Sequence, residues 1–275
     1  MQLLTLIDTL TKELDGVLEA PRREVQLLCM AHLDVDELYL MMHADKEIAL
    51  ESQHYLQSAT ERLKKRVPLE YITNRVSFYS EEFYIDEGAL IPRPETEHLL
   101  DKIFKRVEKD AEVNFVEVGV GSGIISIMLA KEYKNATFKA IDISKKALSV
   151  AQKNLEKFHL QERVELIEGS FLEPIADSYK IDILVSNPPY IANSAELDKN
   201  LSYEPQNALF GGEIGDEMVK VLLDEVHRRG IKFFACEFGY DQRVKVESYL
   251  QNRAYKNLEF YKDYADFDRG FIYEL

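Results

Sequence analysis

The sequence predicts an α/β protein: an open, largely parallel sheet of seven strands covered by helices on both faces, preceded by a small all-helical bundle. Three observations carry this reading. From residue 113 onward, apolar runs of strand length alternate with segments of helical periodicity. A glycine-rich turn, Gly119-Val120-Gly121-Ser122-Gly123, joins the first of those runs to the first of those helices. Residues 1–72, by contrast, carry only a 3.6-residue period.

In the bundle, Leu3, Leu4, Ile7, Leu10 and Leu14 share one helical face. Pro21 opens a second helix at a position where its missing N–H costs nothing, with Val25, Leu28 and Leu33 or its neighbours turned inward. A third short segment follows Asp34, and a fourth runs from about Lys46 to Lys65 before Pro68 stops it. A bundle this small has a thin core and is expected to lean on other parts of the protein or on a partner. Between Tyr71 and Ile91 the period changes to two. Val76-Ser77-Phe78-Tyr79 and Phe83-Tyr84-Ile85, separated by Ser80-Glu81-Glu82, read as a β-hairpin. The stiff stretch Ile91-Pro92-Arg93-Pro94-Glu95-Thr96-Glu97 then leads into a helix carrying Leu99, Leu100, Ile103 and Phe104. Strands are predicted near 113–118, 137–142, 163–167, 181–186 and 231–238, and helices near 124–133, 144–158, 215–229 and 241–251. Two tail strands near 256–261 and 270–275 complete the sheet. The domain boundaries that follow are 1–72 for the helical part, 73–92 for the hairpin linker and 93–275 for the α/β part.

Composition narrows the function. The formal net charge is −15, and residues 1–74 hold 13 acidic against 8 basic side chains, so the acidity is spread along the chain. Such a field repels polyphosphate, which disfavours general nucleic-acid binding. The one basic cluster, Arg62, Lys64, Lys65 and Arg66, reads as a solvated helix end whose cations suit the C-terminal dipole. No stretch approaches the ~20 apolar residues that span a bilayer, and Met1-Gln2-Leu3-Leu4 has no basic start of a secretory signal. A cytoplasmic protein without membrane contact is expected, and it is read as a monomer. Cys29 and Cys236 are then reduced core thiols. Histidines 32, 43, 54, 98, 159 and 227 show no ligand spacing, so no metal is expected.

Four residues say most about chemistry. Asn187-Pro188-Pro189-Tyr190 follow the apolar run 181–186, where a strand spills into a loop. Two prolines fix two φ angles and remove two donors, so the carbonyls of Asn187 and Pro188 are held rigidly. With the Asn187 amide as a further acceptor and the Tyr190 ring as a flat face, the loop suits gripping a planar NH2 group. A plain Pro-rich turn is the alternative. Upstream, the glycine turn lets backbone amides approach a ligand at the carboxyl end of the first strand. Asp142, at the end of the next strand, can accept both hydrogens of a ribose diol, or it can cap the following helix, although Ser144 suits that role too. Glu117 stands two residues before the turn. A carboxylate repels a pyrophosphate but attracts an ammonium or a sulfonium, which favours S-adenosyl-L-methionine over a dinucleotide. A structural anchor for the turn is the alternative role for Glu117. Phe171, after the third strand, either stacks on an adenine or belongs to the core.

On these residues the sequence resembles the HemK/PrmC family of peptide chain release factor N5-glutamine methyltransferases. Pro68 to Ile72, Phe83 to Asp86 and Leu90 to Glu97 are similar to that family's linker and domain start. Gly119 to Gly123, Asp142 to Ser144, Val185 to Ile191, Glu204-Pro205 and Ala208 to Gly212 match it in order and spacing. The resemblance implies a Rossmann-like, class I S-adenosylmethionine-dependent methyltransferase fold. It implies methyl transfer from S-adenosyl-L-methionine, leaving S-adenosyl-L-homocysteine, to the side-chain amide nitrogen of the glutamine in the Gly-Gly-Gln motif of class I release factors. Implied cofactor residues are Gly119, Val120, Gly121, Ser122, Gly123, Asp142, Phe171 and Asn187, beside Glu117 and, at the position facing the adenine amine, Ser170. Implied substrate residues are Asn187, Pro188, Pro189 and Tyr190, of which Asn187, Pro188 and Tyr190 are expected to be catalytic. Arg93 and Glu95 either touch substrate or pair structurally across the hinge. Residues 1–72 would help hold the release factor, the expected protein partner. Val120 departs from the family, which usually has Thr or a small polar residue there, and Ser170 stands where the family often has Asp. The rival expectation is an amino-methyltransferase acting on adenine or guanine in DNA or rRNA, against which the net charge speaks.

Overall fold

A computed structural model describes all residues, 1–275. The chain divides into two compact units: Met1–Arg75 with Leu197–Tyr203, and Val76–Glu196 with Glu204–Leu275. The hairpin and the stretch up to residue 92, expected as a separate linker, therefore belong almost wholly to the second unit, and a short segment from residue 197 returns to the first.

The first unit contains α1 (Leu3–Leu14), α2 (Pro21–Leu33), α3 (Glu37–Met42), α4 (Leu50–Lys64) and α5 (Leu69–Thr73). α1 buries Leu3, Leu6, Ile7, Leu10 and Leu14; Leu4, expected inward, is 43% exposed, and Leu6 takes its place. Position 6 sits within a turn of Leu3 and Leu10 on the helix, which the i, i+3, i+4 pattern permits equally well. Val25, Leu28 and Cys29 of α2 and Leu56, Ala59 and Leu63 of α4 close this core. Pro68 does more than end a helix. It precedes α5, a five-residue turn the sequence reading passed over. Lys64 of the basic cluster pairs with Glu13 and Glu61, and the Tyr203 hydroxyl donates to the Lys65 carbonyl at the end of α4.

In the second unit, β1 (Arg75–Phe78) and β2 (Glu81–Tyr84) form the hairpin and α6 (Thr96–Phe104) follows. Next come β3 (Asn114–Val118), α7 (Ile124–Glu132), β4 (Thr137–Asp142), α8 (Lys145–Lys157), β5 (Val164–Glu168) and β6 (Ile183–Ser186). A small parallel pair, β7 (Ile191–Ala192) and β8 (Phe210–Gly212), was not foreseen because two or three residues carry no readable period. The chain closes with α9 (Glu217–Arg229), β9 (Phe233–Glu237), α10 (Arg243–Leu250), β10 (Asn257–Lys262) and β11 (Asp268–Glu274).

The seven-stranded sheet runs β10-β11-β9-β6-β3-β4-β5. The five strands β9, β6, β3, β4 and β5 are parallel, and β11 and then β10 pair antiparallel on the β9 side. Parallel strands covered on both faces read as continuous apolar runs, and every residue of β6 is buried accordingly. One face packs Val116, Leu184, Phe234 and Phe271 against Val219, Leu222 and Val226 of α9 and Val246 of α10. On the other, Phe115 stacks on Phe138 at 5.1 Å beside buried Tyr133, under α6 and α7. β3 has β4 on one side and β6 on the other, so chain direction through the sheet reverses there and a crevice opens beyond the carboxyl ends. The register aligns those ends: Val118 pairs with both Ile141 and Ser186, Asp142 with Glu168, and Ser186 with Cys236.

Candidate active site

One wall of the crevice is the turn after β3. Gly119, Gly121 and Gly123 have φ of 79°, 53° and 85°, a region that costs any residue with a Cβ. The amides of Gly119 and Val120 donate to the Ile141 carbonyl at 2.9 and 3.0 Å, fastening the turn to β4. Asp142 secures it further: its Oδ2 accepts from the Gly121 amide at 2.9 Å and its Oδ1 from the Ser144 amide at 2.8 Å. Ser144 caps α8 through the Ala147 amide. Burial raises the Asp142 carboxyl even though three backbone amides oppose it. Three amides on two oxygens leave an acceptor site over, so the carboxylate can brace the turn and still accept from a ligand hydroxyl.

Glu117 is 2% exposed within β3, and its Oε2 accepts from both the amide and the hydroxyl of Ser126 on α7. Its Oε1 is buried with no partner. Burial pushes this carboxyl up to about 8, against the two Ser126 hydrogen bonds. A buried carboxylate oxygen left without a donor costs free energy unless a ligand supplies one, and a ligand ammonium fits that need. One oxygen of Glu117 thus ties β3 to α7, and the other, buried at the edge of the cavity, has no donor.

The opposite wall is Asn187-Pro188-Pro189-Tyr190 after β6. Its backbone is clamped from outside: the Ile191 amide donates to the Leu209 carbonyl at 2.9 Å, and Gln242 Nε2 donates to the Tyr190 carbonyl at 2.9 Å. Gly211 of β8 passes so close that a Cβ there would stand 2.3 Å from the Pro189 carbonyl oxygen. The Asn187 carboxamide is held as well. Its Nδ2 donates to Thr96 Oγ1 at 3.1 Å, and that hydroxyl donates to Glu237 Oε2 at 2.8 Å. Thr96 and Glu237 are each 1% exposed. Burial pushes the Glu237 carboxyl up to about 7, against the Thr96 hydrogen bond and the charge of Arg269.

Between the walls lies a cavity. Glu117, Gly119, Val120, Gly121, Ser122, Asp142, Ser170, Phe171, Asn187, Pro188 and Pro189 all line it, as expected from sequence. Phe171 lines the cavity and also packs against the core, in a left-handed backbone conformation with φ of 47°. Three expected residues stand elsewhere. Gly123 is the N-terminal cap of α7, where a Cβ would press on Ala151 at 3.2 Å, so its part is close helix packing. Tyr190 sits behind the wall among the charges of Glu237, Arg269, Arg93 and Glu95, and burial raises its phenol. Glu95 stands among those same charges, just before α6. Arg93 reaches the cavity, but its guanidinium pairs with buried Glu204 and donates to the Ile91 carbonyl, while Glu204 also accepts from the Ile91 amide. This is a structural brace.

Sequence reasoning missed four supports: Ser126, Thr96, Glu237 and Asn154. Asn154 of α8 accepts from the Tyr84 amide and donates to the carbonyls of Tyr84 and Ser122, joining hairpin and glycine turn. The readable signal for Glu237 was a carboxylate closing a buried strand beside the loop-bearing one.

Comparison with known proteins places the chain in a family. The family model of the methyltransferase small domain matches residues 95–210, and that of the PrmC N-terminal domain matches residues 5–73. The release factor glutamine methyltransferase of Koribacter versatilis is 34% identical over 92% of this chain and 91% of its own. That of Bacillus subtilis (strain 168) is 33% identical over 93% and 92%. Among solved structures, the hMettl16 catalytic domain bound to a MAT2A 3'UTR hairpin superposes with a TM-score of 0.57 over 91% of both chains at 11% identity. The N-terminal domain of human METTL16 in complex with SAH gives 0.50 over 91% and 94% at 12% identity. At such identities these structures show a shared fold and nothing finer.

Proposed function

Because the chain belongs to the release factor glutamine methyltransferase family, we propose that it transfers a methyl group from S-adenosyl-L-methionine to the side-chain amide nitrogen of the Gly-Gly-Gln glutamine in class I release factors. The observation that carries this reading is the convergence on one cavity of Glu117, with a buried oxygen lacking a donor, and Asn187, with its carboxamide held in place. The first suits the ammonium of an amino-acid cofactor, and the second suits an NH2 group. Glu117 would hold the ammonium, Asp142 the ribose, and Phe171 with Ser170 the adenine. When bound, the cofactor supplies an electrophilic methyl on sulfur.

The protein's remaining task is to make a poor nucleophile usable. An amide nitrogen shares its lone pair with its carbonyl. Hydrogen bonds from its NH2 to Asn187 Oδ1 and to the Pro188 carbonyl return density to nitrogen and aim it at the methyl, and alignment supplies much of the rate. The nitrogen gains the methyl and gives up one proton, leaving an N-methyl amide. Residues 1–72 are proposed to hold the body of the release factor. A monomeric cytoplasmic enzyme, meeting its substrate during translation termination, goes with this reading.

Radiolabelled methyl transfer tests it. Label is expected on purified release factor and not on DNA or rRNA; label on nucleic acid alone would overturn the assignment of substrate.

A further inference from the structure

We propose that Thr96 and Glu237 are positioning residues that decide which end of the Asn187 carboxamide faces the substrate. The inference rests on the proposed amide-gripping role of Asn187 and goes one step behind it. A side-chain amide has a donor end and an acceptor end of nearly equal shape, so packing alone does not choose between them. Only the acceptor end serves a substrate NH2; the donor end would meet it hydrogen to hydrogen.

The choice is made by a chain of bonds. Ionised Glu237 only accepts, so Thr96 must spend its single hydroxyl hydrogen on Glu237 Oε2. Thr96 Oγ1 is then an acceptor toward Asn187, and only Nδ2 can meet it. The Asn187 side chain also favours the charged form of Glu237. The Asn187 carbonyl end, Oδ1, is left for the cavity that this residue lines. Protonation of Glu237 reverses the polarity of the chain. The carboxylic acid can donate to Thr96, Thr96 can donate to Oδ1, and the NH2 end of Asn187 turns to the substrate.

Several groups face Glu237. Arg269 at the start of β11 favours its charged form, and Glu95 before α6 opposes it. Burial raises the thiol of Cys236 and the phenols of Tyr190 on the loop and Tyr261 on β10, so these three stay neutral while Glu237, pushed up to about 7, changes charge. Orientation of Asn187 is therefore coupled to pH near neutrality.

Single-turnover methyl transfer to release factor, followed across pH in the full-length protein saturated with S-adenosyl-L-methionine at every pH so that ionisation of Glu117 on cofactor binding does not enter the rate, tests this. The wild-type rate is expected to rise through about pH 7 and then level, as Glu237 ionises. Thr96→Val, which keeps shape and loses the hydroxyl, is expected to slow transfer by about tenfold or more with the affinity for S-adenosyl-L-homocysteine unchanged. Thr96→Ser restores the relay and should return the rate to within about threefold of wild type. Glu237→Gln should slow transfer and abolish the acid limb. If Glu237→Gln does not fold, the valine and serine variants decide between them. Wild-type rates in Thr96→Val, or an acid limb that persists in folded Glu237→Gln, would overturn the proposal while leaving the amide-methylation reading intact. A wild-type protein that leaves release factor unlabelled would remove both.

Discussion

The two walls of the cavity are built by different means. The cofactor-side wall is assembled from residues close in sequence or adjacent in register: Gly119 to Gly123, Asp142 at the end of the neighbouring strand, and Ser126 one helical turn into α7 beneath Glu117. The amide-side wall is a rigid loop whose Asn187 side chain is held by Thr96 and, through it, Glu237, residues 91 and 50 positions away. The first wall stores an unmet need, the free oxygen of Glu117, which a ligand fulfils. The second stores an orientation, which only buried neighbours can impose. Binding power and alignment are thus separable in this molecule, and substitutions on the two walls should fail differently.

The largest effect belongs to the amide wall. Asn187→Ala should lower methyl transfer by about 10³-fold while the melting temperature moves little, because one aligned acceptor is lost from the reacting centre. Transfer assays beside thermal unfolding check this, and an active variant would break the distinction between the walls. On the cofactor wall, Glu117→Gln should weaken S-adenosyl-L-homocysteine binding by about 10²-fold through loss of the buried charge partner. The pH dependence sharpens the point. With its carboxyl pushed up to about 8, Glu117 is mostly protonated in the free protein at neutrality and must ionise to meet an ammonium. Calorimetry in buffers of different ionisation heat should therefore show proton release on binding near pH 7, and Glu117→Gln should lose it.

The same carboxyl has a stability consequence. A raised pKa in the folded state favours the protonated form, so this contribution is complete below the ordinary carboxyl value of 4.5 and is lost as pH rises through about 8. Glu237, pushed up to about 7, acts in the same direction. Unfolding of the unliganded protein across that window should thus be less pH-sensitive in Glu117→Gln than in wild type. The smallest expected effect lies between the walls. Asn154→Leu strands the Tyr84 amide and the Tyr84 and Ser122 carbonyls, and should cost about 2 kcal/mol in urea unfolding.

How much of this the sequence disclosed follows the same division. Strands 114–118 and 137–142 and helices 145–157 and 217–229 fall within a residue or two of their expected limits, since buried parallel strands and amphipathic helices write strong periods. The glycine turn, Asp142 and Asn187 were visible because their chemistry is compressed into short motifs. Glu117 was legible as a charge, but its division between Ser126 and an open oxygen was not, because that depends on where α7 starts. Thr96 and Glu237 lie in unrelated segments, and only the alignment of β6 with β9 and the packing of α6 bring them to Asn187. The brace between Arg93 and Glu204 was hidden in the same way, being a pairing across 111 positions.

The central claim is that Asn187 and the Pro188 carbonyl hold a carboxamide nitrogen against the methyl donor. Fragmentation mass spectrometry of the release factor's glutamine-bearing peptide, after incubation with this protein and S-adenosyl-L-methionine, tests it most directly. One added methyl on the glutamine side-chain nitrogen, absent when Asn187→Ala replaces the wild type, is the predicted result. A methyl placed on another residue, or on that glutamine equally with either protein, would contradict it.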